Sequence, residues 1–468
     1  MQLSRALRIK SKEIVAFVGG GGKTTALFQL AEELVAQNKR VITTTTTRIF
    51  AAQIKLAPAY LTLTPLPPSP LLNKIQERGR GLGEWSEVLA ALAKHPHTLI
   101  IGAETEDGKA RGIAPEMVDE IAALENMDAL IYEADGARMR AFKAPADHEP
   151  VLASSTTLLV PVVGISALEK KLDDAHIHRA EIVAEIAGAR LGARVTPQMI
   201  ARVLASERGG LKNKPPRARV AVLINQVEDD AQLESARALA RLLLGTDAIG
   251  AVAIGAVRRA ENPIRETHRR VAAIVTAAGA GARLHGAIKQ LLEWRGATMI
   301  ENALEIVARA DVNERVVVLG AHAEKIRAVI KPARGNWRVV MNSAWEEGHA
   351  SSIRAGLSAL APNIDAAIFI NADQPFLTPQ VIDALIQRYR ATDAPIVRAM
   401  YAGKPASPAL FAREFFSALD ALKGEEGGRA IIAQNAEKVE RVAFEDARLG
   451  MDVDTLEEYE RARIENGY

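Results

Sequence analysis

The sequence predicts an α/β protein of two domains, each built on a mostly parallel, doubly wound sheet. Three observations predict it. Apolar runs of strand length alternate with Ala-rich stretches of helical spacing. Twice, about half a chain apart, a strand runs straight into a small-residue turn followed by a lysine, at residues 14–25 and 271–292. Between the two patterns lies a charged stretch, 257–270, that contains Pro263 and has no apolar periodicity; it reads as a linker.

In chain order, strands are expected at 14–18, 40–43, 98–101, 129–132, 157–161 and 219–224, where apolar residues cluster. Residues 24–37 and 231–244 carry helical spacing. The Pro-rich segment 65–70 reads as a surface excursion. The pattern restarts at Val271, with further strands expected at 315–319, 337–341, 366–370 and 395–398. The boundary falls near residue 265, dividing the chain into 1–262 and 270–468. The halves share no repeat beyond their glycine turns, so they read as two different domains.

Composition narrows the function. A chain of 468 residues is too long for one ordinary core. Its 59 basic and 57 acidic residues leave a net charge of +2, which gives no electrostatic reason to expect a nucleic-acid partner. There is no cysteine, which excludes disulfides, thiolate metal sites and cysteine nucleophiles. The N-terminus lacks a secretory h-region, and no apolar run reaches membrane-spanning length. A cytoplasmic protein with no membrane partner is expected.

The first glycine turn is Gly19, Gly20, Gly21 and Gly22, followed by Lys23, Thr24 and a helix. Successive glycines let backbone N–H groups converge on an anion, and the helix start adds its dipole. Lys23 could reach the terminal phosphates of ATP or GTP, and Thr24 could ligate Mg2+. The loop is a shortened P-loop: a full GxxxxGK[ST] motif would place glycine where Phe17 stands. Asp135, with Glu133, ends an apolar strand where a carboxylate could hold Mg2+ through water. Residues 43–47 are five threonines, which suit a strand and also a phosphate contact.

The second turn contains Ala277, Ala278, Gly279 and Gly281, followed by Arg283 and Lys289. Small residues let the backbone close around a nucleoside triphosphate. Arg283 and Lys289 would neutralise its β- and γ-phosphates and stabilise a pyrophosphate leaving group. A dinucleotide-binding turn is disfavoured, because the third glycine of GxGxxG is missing. Asp373 ends a later apolar strand and is placed to hold Mg2+ against the triphosphate. Asp454 offers a second metal carboxylate, in competition with capping of the following helix by Asp454 or Thr455.

Two ordered sets of motifs carry family resemblances. GGGGKTT, TTTTTRIF, YEADGARMRAFKAPADHEP and LKNKPPRARVAVLINQVED together resemble the YqeC-like family, over about residues 10–255. That family comprises accessory proteins of selenium-dependent molybdenum hydroxylases. TAAGAGAR with its lysine, the segment 342–357, ADQPFL, GGRAII and DVDTLEEY resemble the molybdenum cofactor cytidylyltransferase (MocA-like) branch of the MobA-like NTP transferases, over about 270–465. The resemblance implies a P-loop-like doubly wound sheet fused to a Rossmann-like, GT-A-like nucleotidyltransferase domain. It implies CTP as nucleotide, Mg2+ as metal and molybdopterin as acceptor, with Ser351, Ser352 and Arg354 facing the pterin. An apo molybdenum hydroxylase is the implied protein partner. Two alternatives stay open: transfer from GTP or to another phosphorylated acceptor, and a non-catalytic, nucleotide-gated cofactor chaperone.

Overall fold

The computed structural model describes residues 1–50, 54–62, 86–105, 109–281, 287–330 and 335–465. The chain divides into two compact units, Met1–His268 and Arg269–Tyr468.

The first unit is organised on a nine-stranded sheet. Its strands are β1 (Glu13–Gly19), β2 (Val41–Thr45), β3 (Tyr60–Thr62), β4 (His97–Ile101), β5 (Ala129–Glu133), β6 (Leu158–Gly164), β7 (Arg219–Asn225), β8 (Ala251–Gly255) and β9 (Ile264–His268). They lie side by side in the order β9-β8-β7-β6-β1-β5-β2-β4-β3. All neighbours are parallel except β9, which is antiparallel to β8. Both faces are covered. On β1, Ile14, Ala16 and Val18 join one apolar cluster, and Val15 and Phe17 join another. That is the period of two expected of a strand buried on both sides. Helix Lys23–Ala36 packs on the Phe17 face; helices Ala180–Ala187, Pro197–Leu204 and Asp230–Leu244 pack on the other. β1 therefore delivers the glycine turn to the middle of the sheet's C-terminal edge, where open α/β sheets bind ligands.

Part of the stretch expected to be a linker belongs to this sheet. Residues 264–268 form the edge strand, and Pro263 precedes it where no ladder hydrogen bond is needed. Within the strand, Glu266 is buried, takes the Arg237 guanidinium and lies 2.8 Å from His268 Nε2. Arg258 and Glu261, before the strand, are exposed. The Pro-rich segment 65–70 lies outside the described residues.

The second unit has a seven-stranded sheet of β10 (Val271–Ala277), β11 (Glu314–Leu319), β12 (Trp337–Met341), β13 (Ala366–Asn371), β14 (Ile396–Tyr401), β15 (Lys404–Ala412) and β16 (Val439–Phe444). The order is β12-β11-β10-β13-β15-β14-β16, and only β15 runs antiparallel to its neighbours. Val271, Ala273, Val275 and Ala277 of β10 bury one face under helices Met299–Arg309 and Pro379–Thr392. Ile274 packs the other face against helix His349–Ser358, where a Cβ on Gly356 would stand 2.6 Å from Ile274 Cγ2. Among the described residues no helix is long and apolar enough to cross a membrane.

Candidate active site

The glycine turn of the first unit is closed on its own protein. Gly19 N–H donates to both oxygens of Asp135 (3.1 and 3.0 Å), Gly20 N–H to Val162 O (2.9 Å) and Gly21 N–H to Arg140 O (3.0 Å). Three of the four glycine amides expected to cradle phosphate are thus engaged, so an anion would meet chiefly the amides that open the helix. Packing requires glycine here. Gly21 has φ +83°, and a Cβ on it would stand 2.2 Å from Gly164 N. Gly22 has φ +113° and abuts the Asn225 carboxamide, whose Nδ2 donates to Gly21 O at 2.7 Å.

Lys23 is buried. Its Nζ donates to Gly19 O (2.6 Å) and lies 3.2 Å from both Glu133 Oε1 and Asp135 Oδ1. Burial pulls its pKa down, but the two carboxylates outweigh that and hold it above the ordinary value. Thr24 Oγ1 donates to Glu133 Oε2 at 2.7 Å. Asp135, expected to hold a metal, has both oxygens committed to Gly19 N–H, Lys23 and Lys143, the last at 3.0 Å. The chain of alternating charge continues from Lys143 to Glu149 (2.7 Å) and from Glu149 to Arg179 (2.6 Å). The threonine run is likewise satisfied internally: Thr44 donates to Ile100 O, Thr45 to Glu133 O and Thr46 to Val151 O.

The second unit holds a cavity of about 730 Å³ at the C-terminal end of β10. One wall is the turn Ala277, Ala278, Gly279, Ala280 and Gly281. Gln290 Nε2 fixes that turn from below, donating to Gly279 O (2.9 Å) and Ala277 O (3.3 Å). Arg283 lies outside the described residues. Lys289 opens a short 3-10 turn and spans two carboxylates: its Nζ is 2.6 Å from Asp373 Oδ2 and 2.7 Å from Asp454 Oδ1. Burial lowers the Lys289 pKa, and the two aspartates more than restore it. Val453 N–H donates to Asp373 O at 3.0 Å, which ties the two aspartate-bearing segments together.

Asp454 and Thr455 divide the two duties that the sequence left in competition. Thr455 Oγ1 accepts from Glu458 N–H (3.2 Å), and the Glu458 carboxylate accepts from the Asp454 and Thr455 amides (2.8 and 3.0 Å). This capping box starts helix Leu456–Glu465. The Asp454 carboxylate stays turned to Lys289.

These residues suit a divalent cation. Asp373 Oδ1 and Asp452 Oδ1 are buried with no hydrogen-bond partner, an arrangement that costs free energy unless something positive completes it. Burial, then the charges of Asp373 and Asp454, push Asp452 up to a pKa of about 6. Among the described residues no group of three or more His, Asp or Glu is close enough to hold a metal alone. Mg2+ beside a triphosphate does not need one, because phosphate oxygens and water fill the remaining positions.

Of the three residues expected to face a pterin, Ser352 lines the cavity. Ser351 donates to Gly348 O and accepts from Asn342 Nδ2, both at 2.8 Å. Arg354 bonds Leu422 O (2.8 Å) and Glu347 (2.9 Å). The cavity also takes in Arg398, Arg429 and His349, which sequence reasoning assigned no role in the site. A guanidinium interrupting the apolar strand Ile396–Tyr401 was the available signal for Arg398.

Comparison with known proteins divides the chain in the same two places. Residues 15–181 match the family described as YqeC protein, and residues 273–439 match the MobA-like NTP transferase domain. The uncharacterized protein YqeC of Escherichia coli (strain K12) is 30% identical over 243 residues, covering 50% of this chain and 82% of that protein. The nicotine blue oxidoreductase of Paenarthrobacter nicotinovorans is 32% identical over 202 residues, covering 41% of this chain and 95% of the relative. A crystal structure of the Mycobacterium tuberculosis rv0371c homologue from Mycobacterium sp. strain JC1 is 26% identical, with a TM-score of 0.38, over 42% of this chain and 96% of its own.

Proposed function

The chain belongs to the YqeC family through its first unit and to the MobA-like NTP transferases through its second, which is a nucleotidyltransferase; from that premise we propose that the second unit transfers CMP from CTP to molybdopterin, releasing pyrophosphate. The observation that carries this reading is Lys289 held between Asp373 and Asp454 at the mouth of a small-residue turn. The turn admits a triphosphate. Asp373 and Asp454, with Asp452 beside them, would hold Mg2+, which supplies charge neutralisation on the phosphates. Lys289 adds a positive charge on the same side and stabilises the pyrophosphate as it leaves.

A phosphate oxygen of the acceptor forms the new bond to the α-phosphorus of CTP. The bond from that phosphorus to the bridging oxygen of the β-phosphate breaks, and its electron pair leaves with pyrophosphate. A phosphate nucleophile is already ionised near neutral pH, so the site needs positioning and charge rather than a strong base. CTP is preferred over GTP on the Thr276-Ala277-Ala278-Gly279 turn, which resembles that of cytidylyltransferases. The test is a reaction with molybdopterin, Mg2+ and each nucleoside triphosphate in turn, with pyrophosphate as readout. Asp373→Ala should lower the rate by about a thousandfold while the circular dichroism spectrum is unchanged. Near-wild-type turnover in that variant would remove Asp373 from the metal site.

The first unit, on this reading, is an accessory domain for maturation of a molybdenum hydroxylase, with ATP or GTP at the Gly19–Lys23 turn. Co-purification with an apo hydroxylase supports it, and nucleotide binding unchanged by Lys23→Ala counts against the turn as the site. The name of the Paenarthrobacter relative, an oxidoreductase, suggests a different class of reaction, oxidation–reduction. Clustered carboxylates around Lys289 favour metal–phosphate chemistry over a nicotinamide. Oxidation of NADH by the chain, with no pyrophosphate released from any nucleotide, would reverse that preference.

A further inference from the structure

Arg398 sits in the middle of β14, in the register Arg398–Ala409–Phe369–Ile274 across β15 and β13 to β10. Three strand spacings put its backbone roughly 14 Å from the strand that carries the small-residue turn. Its side chain lines the cavity, and its Nε is buried with no hydrogen-bond partner. Among the described residues no carboxylate pairs with it. Its neighbours are of its own sign: Arg441 stands directly abreast on β16, and Arg429 lines the same cavity. Burial, then the charges of Arg441 and Arg429, hold the Arg398 pKa below the ordinary guanidinium value. A guanidinium does not discharge in a protein, so this crowding of like charge favours an anion at Arg398.

Arg429 lines the same cavity as Asp452, Asp454 and the small-residue turn. An anion held by Arg398 and Arg429 would therefore share that cavity with a bound nucleotide.

We propose that Arg398, with Arg429 beside it, forms a second anion subsite, separate from that of the triphosphate, which binds the phosphomonoester of the acceptor and presents it as the nucleophile. This rests on the nucleotidyl-transfer reading. The planar fork of Arg398 grips two oxygens of the phosphate, and the third forms the bond to the α-phosphorus as pyrophosphate departs with the electron pair of the broken bond. The site then selects acceptors with a terminal phosphate and rejects simple alcohols.

The test uses the full chain saturated with Mg2+ and a non-hydrolysable α,β-methylene CTP, so that the triphosphate position is filled. Inorganic phosphate is then titrated by calorimetry. Phosphate should bind with the analogue in place. Arg398→Ala should weaken phosphate by about tenfold or more and leave the affinity for the analogue within about twofold. Arg398→Lys, which keeps charge but loses the fork, should fall between the two; it also replaces the alanine variant if that one does not fold. Phosphate affinity unchanged in these variants, phosphate binding abolished by the analogue, or a parallel loss of analogue affinity would each overturn the subsite. If no acceptor yields pyrophosphate, but phosphate still depends on Arg398, the subsite stands and the transfer reading falls. If the analogue does not bind, the same comparison is made with phosphate alone, and an unchanged affinity in both variants again overturns it.

Discussion

Glu149 shows how far one residue can be perturbed by its setting. Burial would raise its pKa, but Arg179 and Lys143 overcome that and hold it at about 2, against an ordinary value of 4.5. As pH falls below 4.5 the unfolded chain takes up a proton that the folded chain refuses. Stability is therefore full above that value and is lost progressively toward pH 2. Glu149 accounts for on the order of 3 kcal/mol of this loss as an upper figure. Acid unfolding of Glu149→Gln, followed by circular dichroism, should show a shallower slope between pH 4.5 and 2 than the parent protein. Lys289, Asp373 and Asp454 could be picked out in the sequence because each follows a strand or turn in a motif of fixed order. Gln290 could not, and Arg398 offered only a guanidinium within an apolar strand, because what matters is which residues the sheet places beside them. Lys143 and Glu149 lie within one of the quoted blocks, and only the fold reveals that Lys143 neutralises both Glu149 and Asp135.

Most strands with a long apolar centre were readable, although apolar β8 was not expected, and strands of mixed composition were not. β1, β5, β7, β10 and β13 each carry a continuous apolar centre. β9 reads Ile-Arg-Glu-Thr-His, β16 carries two charges, and β15 contains two prolines; each is a strand because of its neighbours rather than its composition. Glu266→Ala should leave Arg237 and His268 without their shared carboxylate. Faster hydrogen exchange confined to residues 264–268 is the expected result, and unchanged protection would show that the backbone ladder alone holds the edge. The glycine turn is a firmer element than a bare anion cradle. Gly21→Ala combines an unfavourable φ with a backbone overlap at Gly164 and should cost about 2–4 kcal/mol, read as a lower melting temperature of the first unit.

At the scale of the whole molecule, two glycine turns marked two folding units, and the structure gives them opposite characters. One is filled by its own lysine and carboxylates; the other opens on a cavity of about 730 Å³. If the units work on separate chemistry, Lys23→Ala should leave pyrophosphate release by the second unit within about twofold of the parent rate. A larger change would mean that the first unit governs the second. The linker stretch differs from expectation only in part: residues 264–268 pair as an edge strand, while the two units do part within it, between His268 and Arg269. The capping box at Thr455 reaches further than its own turn. Asp454 and Thr455 are adjacent, one facing Lys289 and the other starting helix Leu456–Glu465, so ion occupancy and helix fraying are coupled. The amides of that helix become a distant gauge of the site: a divalent ion should slow their deuterium uptake, and whatever frays the helix should in turn loosen the ion.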